Sequence, residues 1–311
     1  MRLGVYWATP LNLDPNKYLR YSILNATDNR HTVVEIDPYL KVNKIEESGF
    51  DAILVIGTLL KPELYLVDFL NERKKIPVVF WDLESPYDSD VNNFWYPFFD
   101  HIFCVEKHAV NERSVVPVSY LPLAADTFQF FAAPSKIVQP HIAIVGSNYD
   151  NRNHLTAQFK NLLKAPERIN RVGVSIRNSS DFITSYQRLS TRGIMKIDNL
   201  SKVSIISGRD FDYANSFRSN NSGSPGPRIF ETIISGGLPL IDDLTVDNAI
   251  CDELIPNLLY FSSVLQGINI FRSISDAERF ALCNYLQEIV LTKHLYKHRI
   301  DEITKTIQRL R

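Results

Sequence analysis

Short apolar runs rich in valine and isoleucine recur along the first part of the chain, and between them lie stretches whose apolar residues return every three or four positions. That alternation predicts strand-helix-strand units building a parallel sheet. Strands are expected near Leu3–Trp7, Thr32–Ile36, Ala52–Ile56, Pro77–Trp81, His101–Val105 and Ser119–Leu121, with helices around Lys17–Asn25, Pro62–Arg73 and Lys107–Arg113. The pattern lapses in "AADTFQFFAAPSKIVQP", where two prolines interrupt any period. It then resumes: "HIAIVGSNYDNRNHL" reads as strand, turn and helix, "RVGVSI" and "SKVSIIS" as further strands, and "GLPLID" as a strand after a glycine pair. From Ser275 to Arg311 apolar positions are spaced by three and four, as in helices. The expected organisation is an α/β protein of two Rossmann-like domains, residues 1–125 and 140–311, joined by a linker at 126–139, with the helical tail in the second domain.

Length agrees with this division, because 311 residues exceed what a single hydrophobic core usually organises. Two such sheets facing one another leave a cleft at the carboxyl ends of their strands, which is where open α/β sheets bind ligands. With 34 basic against 35 acidic side chains, the net charge of −1 supplies no global field for drawing in nucleic acid. No apolar run approaches the roughly 20 residues that a membrane span needs, and "MRLGVYWATP" lacks the apolar segment of a signal peptide. Cys104, Cys251 and Cys283 are odd in number and far apart, which fits reduced thiols in a cytoplasmic protein. The seven histidines form no H-E-x-x-H and no cysteine pair has zinc spacing, so no structural zinc is expected.

Chemistry concentrates in "SGSPGPRIFETIISGGLPLIDD". Pro227 pre-sets the backbone of a first helical residue, and Gly236-Gly237 can adopt the left-handed conformation that ends a helix. Ile229, Phe230, Ile233 and Ile234 then share a face for burial, while Arg228 and Glu231, three apart, share another near the amino end. A helix start favours anions through its unpaired N–H groups and its dipole. Arginine there completes a diphosphate clamp, and a carboxylate one turn along can accept both hydroxyls of a ribose. The alternative reading is a surface ion pair on a capped helix.

That segment, together with "FDHIFCVEKHAV", "VSYLPLAAD", "HIAIVGSNYDNR" and "LTKHLYKHRIDEI" in this order, resembles the GT-B glycosyltransferases, and within them the spore-maturation-protein-type (CgeB-like) family, from about Asp100 onward. A more distant likeness is to the DNA β-glucosyltransferases of T-even phages. The resemblance implies a donor site in which Arg228 holds the diphosphate and Glu231 the ribose, Gly146 and Ser147 let backbone approach the phosphates, and Arg152 adds a second positive clamp. From the phage likeness, Asp82 at the end of "VVFW" is implied as the base that deprotonates the acceptor hydroxyl. Two departures stand out. The position eight residues before Glu231, a glutamate in many retaining enzymes, is Gly223, which leaves inversion or retention open; and "SNYDNR" supplies one arginine where the phage turn has two.

On the acceptor side, Glu84 follows Asp82 at a strand end where carboxylates of parallel sheets project, and Trp7 and Thr9 follow the first strand. Aromatic rings there can stack on a sugar or base, although core packing is the preferred account of Trp7. Asp88 and Asp90 spell D-x-D, which suits a divalent cation but also a helix cap. The polar, glycine-containing stretch Asn215–Gly226 suits a lid. The expectation is therefore a glycosyltransferase, hexosyl or pentosyl, taking a nucleotide-diphosphate sugar with no required cofactor and no essential metal. Its acceptor is a glycan, another cell-envelope component or a small molecule, with a hydroxymethylated base in DNA as the alternative. A non-catalytic nucleotide-sugar-binding module remains the reading from another class, whereas a dehydrogenase is disfavoured because no G-x-G-x-x-G follows the first strand.

Overall fold

The computed structural model describes all residues except 9–13, 28–29, 38, 61, 63, 74, 88, 111–114, 148, 174–181, 188 and 209–221. The described residues form two compact units, the first comprising Met1–Leu123 with Tyr296–Arg311, the second lying between Ala124 and Leu295.

In the first unit, strands β1 (Arg2–Trp7), β2 (Thr32–Glu35), β3 (Ala52–Gly57), β4 (Val78–Asp82), β5 (His101–Cys104) and β6 (Val118–Tyr120) alternate with helices α1 (Asp14–Leu24), α2 (Val42–Glu47), α3 (Leu64–Glu72) and α4 (Ser89–Trp95). All strands are parallel, in the order β2-β1-β3-β4-β5-β6. Every residue of β3 and β4 is buried, as expected of central strands covered on both faces. The segment predicted as a helix from Lys107 is a three-residue 3₁₀ turn, Lys107–Ala109, whose start is capped by the Glu106 carboxylate accepting from the His108 amide; residues 111–114 of that prediction lie outside the described residues.

The second unit contains α5 (Thr127–Phe130), β7 (Gln139–Val145), α6 (Asp150–Leu162), β8 (Arg168–Gly173), β9 (Ile183–Gln187), α7 (Thr191–Leu200), β10 (Ser201–Ile206), α8 (Pro227–Ile234), β11 (Pro239–Asp242), α9 (Asn248–Leu254), β12 (Leu259–Phe261), α10 (Val264–Ser273) and α11 (Asp276–Lys293). Its parallel strands run β12-β11-β10-β7-β8-β9, which in order of appearance is the Rossmann sequence 3-2-1-4-5-6 read from the other edge. The chain reverses direction across the sheet between β7 and β10, so a crevice opens at their carboxyl ends.

The last helix, α12 (Tyr296–Leu310), packs in the first unit and not in the second, where the sequence pattern alone had placed the tail. Ile300, Ile303 and Ile307 are buried, and Arg299 donates from Nε to the Pro122 carbonyl at 2.7 Å and from Nη2 to that of Leu123 at 3.1 Å. Asp301 pairs with Arg30 at 3.0 Å. The stretch expected to be a linker carries its own structure: Asp126 caps α5 through the Phe128 amide, and β7 begins at Gln139.

Candidate functional site

At the crevice of the second unit, β7 is followed by Gly146-Ser147 and β10 by Ser207-Gly208. Gly146 has φ +144°, a conformation side chains rarely adopt, and a Cβ there would lie 2.5 Å from the Arg152 Nη1 and displace that guanidinium. Asn151, in the first turn of α6, ties the two strand ends together by donating from Nδ2 to the Gly208 carbonyl at 3.1 Å. Arg152 lies across the same gap, donating from Nη2 to the Ser207 carbonyl at 3.2 Å and packing its guanidinium over the Tyr149 ring at 5.3 Å. Three of the predicted donor residues, Gly146, Ser147 and Arg152, therefore converge at one place.

A residue that motif reasoning missed joins them. Arg171, in the middle of β8, is 2% exposed and directs its guanidinium beneath the turn: Nη1 donates to the carbonyls of Gly146 and Val172 at 3.0 Å, and Nη2 to that of Ser147 at 3.2 Å. Burial, and then the neighbouring Arg152 charge, lower its pKa to about 10.

The Pro227 helix forms as its residues predict. Proline occupies its first turn, and Ile229, Phe230, Ile233 and Ile234 are fully buried. It ends at Gly236, whose φ of +75° a side chain would oppose and whose Cβ would strike Pro134. Arg228 and Glu231 meet, Nη1 to Oε2 at 2.9 Å, with Arg228 20% and Glu231 21% exposed at their side chains. The sequence gives no hint of the third partner: Asp198 of α7, 0% exposed, accepts from Arg228 Nη2 at 2.7 Å through Oδ2 and from Ser204 Oγ at 2.9 Å through Oδ1. Thr232 Oγ1 also accepts from Nη2, at 3.0 Å. Desolvation opposes the Arg228 charge, but Asp198 and Glu231 outweigh it and raise its pKa; Glu231 is raised by its own burial against the pull of Arg228. The Arg228 Nε is buried with no hydrogen-bond partner among the described residues. Gly223 sits in the loop before this helix, its carbonyl accepting from the Asp247 amide at 2.9 Å.

In the first unit the strand order reverses between β1 and β3. Trp7 ends β1 and is 6% exposed, with its indole Nε1 buried and without a partner among the described residues; Thr9 lies outside the described residues. Asp82 ends β4 with 0% exposure. Its Oδ1 accepts from Asn92 Nδ2 at 2.9 Å and from the Glu84 amide at 3.1 Å, and its Oδ2 from the Tyr96 hydroxyl at 2.9 Å. Burial, and secondarily the Asp82 charge, raise the pKa of Tyr96 and push the Cys104 thiol up to about 12. Asn92 in turn accepts from the Leu59 amide at 2.8 Å, joining the ends of β3 and β4. Glu84 is half-buried at the same edge. Asp88 and the side chain of Asp90 lie outside the described residues, as does Asn215–Asn221 of the predicted lid. Among the described residues no cluster of three His, Cys, Asp or Glu is placed to hold a metal ion, and no described helix is long and apolar enough to cross a membrane. His294 stacks on Phe230 at 5.4 Å and bonds the Leu254 carbonyl at 2.9 Å, a packing role.

Two six-stranded parallel sheets with flanking helices and a C-terminal helix match the GT-B glycosyltransferase fold. Similar solved structures include the DNA-modifying enzyme β-glucosyltransferase, crystallised with and without uridine diphosphoglucose, at TM-score 0.63 and 12% identity over 99% of this chain and 100% of that one. Apo OtsA matches with TM-score 0.63 and 9% identity, covering 98% of each chain. A UDP-forming α,α-trehalose-phosphate synthase from Burkholderia xenovorans, in complex with glucose-6-phosphate, matches with TM-score 0.60 and 9% identity over 86% of this chain and 75% of that one. At such identities the likeness is one of fold. No protein-family model matches the sequence, and no curated protein matches it either.

Proposed function

We propose that this protein is a glycosyltransferase that binds a nucleotide-diphosphate sugar on its second unit and transfers the sugar to an acceptor hydroxyl. The observation that carries the reading is the convergence of Gly146, Ser147 and Arg152 at the reversal point of a Rossmann-ordered sheet, a position suited to a diphosphate. Arg228 and Glu231 belong to the same donor site, the arginine for the diphosphate and the carboxylate for the ribose. The acceptor oxygen attacks the anomeric carbon, the bond from that carbon to the diphosphate oxygen breaks, and the departing negative charge is stabilised by the guanidiniums and the amino end of α8. Positive charge from side chains makes a divalent metal unnecessary, so turnover is expected to survive a chelator.

The acceptor proton goes to a carboxylate at the carboxyl end of β4. Asp82 is the base that the family likeness implies. Its complete burial, with both oxygens hydrogen-bonded, favours a division of labour in which Asp82 holds the loop through Asn92, Tyr96 and the Glu84 amide, and the more accessible Glu84 takes the proton. The indole N–H of Trp7, without a partner among the described residues, supports an acceptor site on this unit, since a buried donor without a partner costs about 1–3 kcal/mol that an acceptor hydroxyl can recover.

A glycan, envelope component or small molecule is the proposed acceptor, and a near-zero net charge supports it over DNA. Salt-sensitive binding to hydroxymethylated duplex in a gel shift reverses that order. The donor assignment is tested by calorimetry of nucleoside diphosphates with Arg228→Ala: a loss of at least about tenfold in affinity, equivalent to 1.4 kcal/mol, is expected. Unchanged affinity refutes it.

A further inference from the structure

Three arginines of this protein have their guanidiniums buried against backbone carbonyls, and one of them differs from the other two. Arg279 donates to the carbonyls of Lys202 and Asn199 at 3.0 Å, and Arg299 to those of Pro122 and Leu123. Burial lowers the pKa of both, and anionic or ionisable neighbours pull each back, Cys283 and then Asp276 for Arg279, and Tyr296, Tyr120 and then Glu302 for Arg299. Among the described residues Arg171 has no such neighbour. Its hydrogen-bond partners are all carbonyl oxygens, and the charge that acts on it is that of another cation, Arg152. A buried ion without a counter-charge costs several kcal/mol.

Satisfying those carbonyls accounts for it only at Gly146, whose oxygen takes the Arg171 Nη1 at 3.0 Å. The Val172 oxygen already accepts from the Gly146 amide at 2.9 Å, and the Ser147 oxygen from the Tyr149 amide at 3.0 Å. A neutral side chain with a single donor would serve the Gly146 oxygen and spare the desolvation of a full charge. The cation is instead aimed at the underside of the one turn where the sheet reverses, beside a second guanidinium.

We propose that Arg171 is a positioning residue for the donor diphosphate: a buried positive charge beneath the Gly146–Ser147 turn that fixes the turn's carbonyls away from the ligand and whose counter-ion arrives with the substrate. The inference rests on the donor site assigned above. It also supplies, from β8, the second arginine that the turn sequence lacks.

The test is calorimetry on the full chain with three probes, inorganic pyrophosphate, UDP and uridine, using the wild type, Arg171→Met and Arg171→Lys. Arg171→Met is expected to weaken pyrophosphate and UDP at least about tenfold while leaving uridine unchanged, and Arg171→Lys to recover part of that loss, because lysine restores the charge without the forked carbonyl contacts. A bracing role alone would give Lys no advantage over Met and would weaken uridine along with the other two; either result overturns the inference. So does wild-type affinity for pyrophosphate in Arg171→Met. If that variant does not fold, Arg171→Gln, which keeps hydrogen-bond donors and drops the charge, is read by the same criteria. Wild-type protein that binds neither pyrophosphate nor any nucleoside diphosphate removes the donor reading itself, an outcome distinct from normal binding that ignores residue 171.

Discussion

Changing Asp198 to asparagine removes one negative charge and almost no volume from a site with 0% exposure. The carboxylate accepts two hydrogen bonds, one from the Arg228 guanidinium at 2.7 Å and one from Ser204 at 2.9 Å. Deleting one partner of a buried ion pair outright costs about 3–5 kcal/mol. Asparagine keeps an acceptor oxygen, and Arg228, at 20% side-chain exposure, retains Glu231 and some solvent. The loss is therefore nearer that of one hydrogen bond to a charged group, about 1.5–3 kcal/mol. Tryptophan fluorescence is a poor reporter, since Trp7, Trp81 and Trp95 all belong to the first unit. Native-state hydrogen exchange read by mass spectrometry on peptides from α7, β10 and α8 locates the effect: 2 kcal/mol speeds exchange through local opening by about thirtyfold. Peptides of β1 to β4 serve as the internal control. Unaltered exchange in α7 and α8, with an unaltered thermal midpoint, would refute the claim that this pair anchors the Pro227 helix.

At the end of β4, Glu84→Gln is expected to cut turnover by at least about a hundredfold, the usual scale of general-base catalysis, while donor affinity in calorimetry stays as in the wild type. Asp82→Asn is expected to lower thermal stability as well, because Asn92 and Tyr96 both donate to the carboxylate it removes; full turnover in Glu84→Gln with none in Asp82→Asn returns the base role to Asp82. Gly146→Ala places a methyl 2.5 Å from Arg152 at a φ few side chains adopt, so nucleoside diphosphate affinity is expected to fall at least tenfold, about 1.4 kcal/mol; retention of wild-type affinity would show that the turn does not shape the site.

Much of the Pro227 helix could be read from the chain because its signals are local: proline in the first turn, glycine at the end, apolar residues at helical spacing, and an arginine-glutamate pair three apart. Asp198 could not, since it stands in the unremarkable stretch "MKIDNL" and its partner Arg228 is 30 positions further along the chain, on another helix. Arg171 left a faint trace. It lies mid-strand between buried Asn170 and Val172, and a cation at a central-strand position is itself a signal, but reading the strand from Arg171 onward placed it at an edge and hid that signal. Strands β9 and β12 escaped notice because they are edge strands, mostly half-exposed, whose mixed residues carry no strong period. The tail illustrates another limit: the spacing of Ile300, Ile303 and Ile307 announces a buried face without naming what covers it.

That helix carries a consequence for biosynthesis. Because Tyr296–Arg311 completes the first unit, the whole of the second is translated in between. Nascent chains ordinarily mature from the amino end. Here the earlier-made sheet lacks α12 until the later-made unit has been synthesised, so deleting that helix is expected to leave the older half without its last packing face.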